Sequence, residues 1–237
     1  MKLLIKKREI KMNKINKTII LLATAVSFHA PTSFADSEKF YVKANAGYSK
    51  LNDAKPEDES GNKGSKLKSK GGNGFFGVGV GYNLTDKFRA DLMFDYFMSP
   101  KHKMWLSDGG RETVGGKVKG DISTLTINGY FDFFQLDNMK LFAGAGLGIS
   151  QTKGKFSMRG TIDEMEVFNE TLKLKTSNNF TYALHLGASA KVADNLHTDL
   201  TYSWRDFGEI KTKKHDGNFF SMPYKGHHLA LGIRYDI

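Results

Sequence analysis

Three glycines spaced two apart in GVGVG (Gly77, Gly79, Gly81), and three more in GAGLG (Gly144, Gly146, Gly148), could let a backbone approach a phosphate closely. Dinucleotide chemistry, however, needs GxGxxG at the mouth of a helix, so that amides and helix dipole converge on the pyrophosphate. Here that spacing is missing and no helical periodicity follows. GRETVGGKV, residues 110–118, approaches a phosphate-binding loop, but Gly116 stands where the lysine is required and no Ser or Thr follows. Thiolate metal sites are excluded because the chain has no cysteine. His227 and His228 are adjacent, so on an extended segment they face opposite sides and cannot share an ion. No Ser/His/Asp set or His/Asp pair can be placed at one height for hydrolysis. The expectation is a non-enzyme with no catalytic, metal or cofactor-binding residues and no cofactor.

What remains is a set of charges with a rhythm of two. Lys43, Arg89, Asp91, Asp95, Asp132, Asp199, Arg205, Arg234 and Asp236 all occupy the polar parity of segments whose other parity is apolar. In residues 74–84 and 88–98, for instance, Val78, Val80, Leu92 and Phe94 alternate with Gly77, Gly79, Asp91 and Asp95. Successive side chains of a strand point to opposite faces, so such alternation on both sides of Thr85-Asp86 reads as a long hairpin. The same pattern recurs in residues 39–49, 123–134, 140–150, 179–192, 196–205 and 227–237, giving eight strands of about ten residues. His185 and His197 fall on the polar parity too, as members of a hydrogen-bonded network.

The connections alternate in length. Thr85-Asp86, residues 135–139 and residues 193–195 are short, whereas the other four run to roughly 15–28 residues, long for a compact domain. Short turns on one side and long loops on the other are the pattern of outer-membrane barrels. Aromatics agree: Phe40, Tyr82, Phe88, Phe133 and Tyr235 sit at the short-turn ends of the apolar parity, and Tyr48, Phe76, Tyr96, Phe180, Tyr202 and Trp204 at the long-loop ends. Two such girdles belong at the two bilayer interfaces. The fold class predicted is all-β, an eight-stranded antiparallel transmembrane barrel with short periplasmic turns and four long extracellular loops. Its greasy face meets outer-membrane lipid; its charges pair inside with trapped water, which predicts no substantial pore.

The first residues read as a secretory leader. Seven Lys/Arg residues precede the apolar run TIILLATAVSF, and Ser33-Phe34-Ala35 offers small residues for cleavage. The domains expected are therefore a signal peptide over 1–35 and a barrel over 36–237, with either Met1 or Met12 as the start. With seven positive charges and Glu9, the leader holds +6 of the formal +10, leaving +4 on residues 36–237. Most support for nucleic-acid binding goes with it. No other apolar run approaches helix-spanning length, and the final strand, with Gly232, Tyr235 and Ile237, fits a barrel-assembly signal.

Binding chemistry is left to the loops. Lys63, Lys66, Lys68 and Lys70 lie in the first, and Lys101, Lys103, Lys117 and Lys119 with Trp105 in the second. The third has Lys153, Lys155, Lys173 and Lys175, and the fourth Lys211, Lys213 and Lys214. Such clusters either contact anionic glycans or an acidic protein segment, or only keep the surface solvated.

YSWRDFGEIKTKK and MPYKGHHLALGIRYDI, with NGYFDFF, KLFAGAGLG and FYVKANAGYSKL, give the chain its strong resemblance to the outer-membrane adhesins of rickettsiae. These belong to the wider OmpA-like or opacity-like class of eight-stranded barrels. The similarity covers residues 36–237, is most specific in the last two strands and weakest in the loops. It implies a surface-exposed barrel that attaches to host-cell surface proteins and captures vitronectin, a serum protein whose capture resists complement. The barrel itself is expected to be a monomer in the membrane. It supplies no short binding motif that maps residue by residue. No peptidoglycan-binding domain is expected after the barrel. The alternative is a structural barrel whose loops bind nothing specifically.

Overall fold

The computed structural model describes residues 39–55, 57–58, 68–69, 71–98, 101–108, 112–162, 165–173, 176–211 and 220–237. Eight strands form the barrel wall: β1 (Phe40–Leu51), β4 (Asn73–Asn83), β5 (Phe88–Phe97), β7 (Glu112–Leu136), β8 (Met139–Ile162), β10 (Ser177–Ala193), β11 (Leu196–Lys211) and β12 (Phe220–Asp236). Four shorter strands, β2 (Glu57–Asp58), β3 (Lys68–Ser69), β6 (Lys101–Asp108) and β9 (Met165–Lys173), belong to the long connections. Each wall strand is antiparallel to the next, and β1 pairs with both β4 and β12, closing the ring. The eight-stranded antiparallel barrel read from the alternation is thus the observed fold. Closure leaves no edge within the wall, so every ladder amide there has a partner without help from water.

The short turns follow from their residues. Leu136 pairs with Met139 across Asp137-Asn138, and Asp137 takes φ 45°, a left-handed conformation that Asp and Asn tolerate and tight hairpins need. At the β4–β5 turn the Thr85 hydroxyl accepts a hydrogen bond from the Phe88 amide at 3.0 Å.

Parity decides inside and outside. Leu231 and Ile127 are 68% and 67% exposed and stand in a continuous outer band with Leu147, Ile149, Leu184, Leu186 and Ile233. An apolar belt of this extent would drive aggregation in water and is instead the surface that lipid covers. The opposite parity is buried: Asp199 is 1% exposed. Lys191, placed on the interior parity by the alternation, departs from it. It is exposed at the short-turn rim and pairs with Asp194 at 3.7 Å.

Two long connections are not irregular. β6 pairs with the outer half of β7 (Lys101↔Lys119 to Asp108↔Glu112), and β9 pairs with the outer half of β8 (Lys155↔Lys173 to Ile162↔Met165). Since β7 and β8 stay paired to Glu112↔Ile162, the second and third connections form one sheet, β6-β7-β8-β9, that extends the wall beyond the lipid-facing band.

Candidate functional site

The barrel interior holds a continuous polar network. Around the ring β5 and β11 are diametrically opposite, and Arg205 on β11 donates to Asp95 on β5 at 3.0 Å and to the Thr124 hydroxyl at 2.7 Å. Lys43 on β1 stands between two carboxylates, 3.4 Å from Asp199 and 3.8 Å from Asp91. Asp91 also accepts from the Asn128 amide at 2.7 Å. Nearer the short turns, Arg89 meets Asp132 at 2.9 Å, and Lys140 approaches the same carboxylate at 3.6 Å. Arg234 lies 3.7 Å from Asp236, which in turn holds His197 at 3.0 Å. With Lys140 counted, five carboxylates face five Lys/Arg side chains, so the interior reaches charge balance without a bound ion.

Aromatic rings share the work of solvating these cations. The Arg89 guanidinium lies over Phe142 at 4.5 Å, and Arg234 over Tyr41 at 5.2 Å. Glycines supply the room: a Cβ at Gly146 would run into the Asn128 side-chain oxygen, and one at Gly77 into the Asp95 carboxylate. A cavity of about 30 Å³ remains among Lys43, Asn45, Asp95, Asn128, His185 and Arg205. That is space for one or two water molecules, where Asn45 Oδ1 and Asp95 Oδ1 lack protein partners.

His185 bonds to the Ser203 hydroxyl at 2.8 Å through Nδ1 and to Asn128 at 3.3 Å through Nε2. This Ser-His-Asn set has the composition of a nucleophilic site, but all three are buried beside that small cavity, where no acyl substrate fits. His227 and His228 point to opposite faces. His227 is exposed and meets the Tyr202 hydroxyl at 2.6 Å, while His228 is buried among Phe75, Phe97 and Phe207. Among the described residues no group of three or more metal-ligating side chains exists.

Above the charges the interior turns apolar. Phe75 stacks on Phe97 at 4.8 Å, Phe207 meets Phe97 edge-on at 4.9 Å, and Leu51, Ala54, Ile122, Met222, Tyr224 and Ala230 complete a cluster at the long-loop end. Sequence reading missed this cap, although Phe75 and Phe97 share parity with Gly77 and Asp95. Phe207 shares the interior parity of Ser203 and Arg205 but lies beyond Arg205, where the sequence reading ends the strand; β11 continues to Lys211 through a bulge between Asp206 and Glu209. Gly208 takes φ +78° in that bulge, and its amide donates to Asp206 at 2.8 Å.

The loop lysines divide into three groups. Lys63, Lys66, Lys70, Lys175, Lys213 and Lys214 lie outside the described residues. Lys211 is on β11 opposite Ser221, away from the extension sheet. The remainder come together by register. One row across that sheet is Lys101, Lys119, Lys155, Lys173, and the next is Lys68, Lys103, Lys117 followed by Ser157. Trp105 falls one row further out, opposite Gly115, and Lys153 pairs with Asp121 one row nearer the barrel. Lys119 and Lys155 are exposed, and Lys117 and Lys153 are half-buried. The alternation that makes this a sheet is visible as Lys101, Lys103 and Trp105 against His102, Met104 and Leu106; the density of lysine masks it.

Known proteins agree with this architecture. A candidate adhesin of Rickettsia conorii is 37% identical over 225 residues, covering 89% of this chain and 87% of that protein. Another, from Rickettsia bellii, is 32% identical over 237 residues, covering 94% and 100%. Among solved structures, the outer membrane protein OprG from Pseudomonas aeruginosa superposes with a TM-score of 0.50 at 13% identity, covering 84% of this chain and 97% of that one. The family model for the outer membrane protein beta-barrel domain matches residues 18–236. With a closed lipid-facing wall and that match across most of its length, the chain belongs to the outer membrane protein β-barrel family and resides, surface-exposed, in the outer membrane.

Proposed function

We propose that this barrel is an adhesin whose extracellular portion binds host-cell surface components, with vitronectin as its serum ligand. The observation that carries the reading is the β6-β7-β8-β9 sheet, which holds lysines of two loops and Trp105 in a defined array beyond the lipid-facing band. Rickettsial relatives that carry the adhesin name support it, as does the charge-balanced, aromatic-capped interior, which suits a scaffold better than a conduit. Lys68 joins this array beside Lys103, and the remaining loop lysines, Lys63, Lys66, Lys70, Lys175, Lys211, Lys213 and Lys214, extend the candidate surface. Every wall strand finds both partners within one chain, which supports a monomer. Residues 1–35 act in this reading as the export leader.

The test is binding of vitronectin and of host-cell surface extract to the folded protein in detergent, beside a variant in which the four long connections are cut to short turns. Binding by the intact protein alone upholds adhesion by the extracellular portion. Silence from both, or equal binding by both, favours the structural barrel.

A further inference from the structure

Register places Lys101, Lys119, Lys155 and Lys173 directly beside one another on neighbouring strands, at backbone steps of about 5 Å. Like charges directly opposite one another destabilise a sheet. Lysine is often placed on edge strands to prevent edge-to-edge pairing, but β7 and β8 are the two central strands here, each paired on both sides. Edge protection therefore does not account for Lys119 and Lys155, both of which are exposed.

The face they occupy is informative. In β7, residues Ile127, Leu125, Ser123, Asp121 and Lys119 share one parity with no register shift between them, and Ile149, Gln151, Lys153 and Lys155 do the same in β8. Ile127 and Ile149 face lipid. Tyr96, opposite Ser123 on the outer face, is bonded to Asp121 and marks the upper interface. Lys119 lies four residues beyond Ser123, about 13 Å along the strand and less in height because barrel strands tilt. Lys119 and Lys155 thus stand on the outward side of the wall, directly above the lipid surface, with Lys101 and Lys173 beside them in register. The carboxylates that register puts on the same face are Asp121 below the row, already engaged with Tyr96, and Glu166 near the outer end of β9.

We propose that this row binds the phosphate groups on the sugar headgroup of an outer-leaflet glycolipid in the bacterium's own membrane. Lysine ammoniums at regular steps act as point charges for phosphate, and the two-dimensional leaflet delivers that ligand at high local concentration. The repulsion within the row is then relieved by the bound anion. This assignment is independent of host binding, and it leaves adhesion to the rows further out, Lys103 and Lys117 with Trp105, and to the other loop lysines.

The experiment uses the folded full-length protein in zwitterionic detergent, titrated with phosphatidylcholine nanodiscs containing bisphosphorylated or dephosphorylated lipid A. The bisphosphorylated form should bind at least ten-fold more tightly, a preference that high salt erodes. Lys119→Gln/Lys155→Gln should abolish the preference, while Lys87→Gln/Lys191→Gln at the short-turn rim should keep it. Lys155→Glu separates binding from folding: placed opposite Lys119 and Lys173, it should leave the thermal midpoint equal or higher while binding is lost. No dependence on phosphate, or full binding by the double Gln variant, overturns the proposal. So does lysine-dependent binding of a soluble heparin fragment without binding of lipid A, which would assign the row to host glycans.

Discussion

Arg205 and Asp95 meet at 3.0 Å across the full width of the barrel, although 110 residues separate them in the chain. Each is nearly excluded from solvent, at 6% and 2% exposure. The pair forms only once the first and last hairpins occupy one ring, so it reports closure rather than local pairing.

Replacing Arg205 with Met should leave Asp95 as an uncompensated buried charge and destabilise the barrel by about 3–5 kcal/mol. Arg205→Met/Asp95→Leu should recover most of that loss. Urea unfolding in lipid vesicles gives both values, and strict additivity of the two single changes would contradict a direct interaction.

Gly208→Ala should destabilise by about 1–3 kcal/mol, because alanine must adopt the left-handed backbone. Its methyl would also press on the Asn179 side chain, whose amide donates to the Glu209 carbonyl at 2.7 Å. The expected signature is an earlier urea midpoint with the barrel still able to insert. An unchanged midpoint would show that the bulge relaxes freely.

The intact protein should show no stable conductance of hundreds of picosiemens in planar bilayers. The polar network fills the midsection and the Phe75, Phe97 and Phe207 cluster closes the outer end. Long-lived, single-level openings of that size would mean the interior rearranges in the membrane.

Attachment to host-cell extract should weaken steadily as NaCl is raised from about 0.05 M to 0.5 M, since screening shortens the reach of exposed lysines to below about 10 Å. Salt-independent binding would direct attention to Trp105 and the apolar parity of the extension sheet.

Legibility followed the physics of each region. Where one face meets lipid and the other a narrow interior, alternation is strict, and strands such as 40–51 and 227–236 can be read from Val42, Ala44, Leu229 and Leu231 alone. Beyond the bilayer that constraint lapses: Lys101–Asp108 carries lysine where a membrane strand would carry leucine, and it looks like a solvated loop. Parity also hides pairing. Asp91, Asp95 and Asp199 are recognisable as interior residues, yet which cation each meets depends on ring position and shear, as with Lys43 reaching both β5 and β11. Phe207 keeps the interior parity of Arg205 but was lost because β11 runs on to Lys211, past the point where alternation stops being legible.

The ladder of β7 and β8, which runs without a register shift from Asp132↔Phe142 to Glu112↔Ile162, has a mechanical meaning. A pull on the outer end of this hairpin runs parallel to its strands, so many backbone hydrogen bonds resist in shear together instead of parting one by one. Under the adhesion proposed above, tension from a tethered cell would pass straight into a ring anchored on every side by lipid, with an attachment point stiffer than a bare loop.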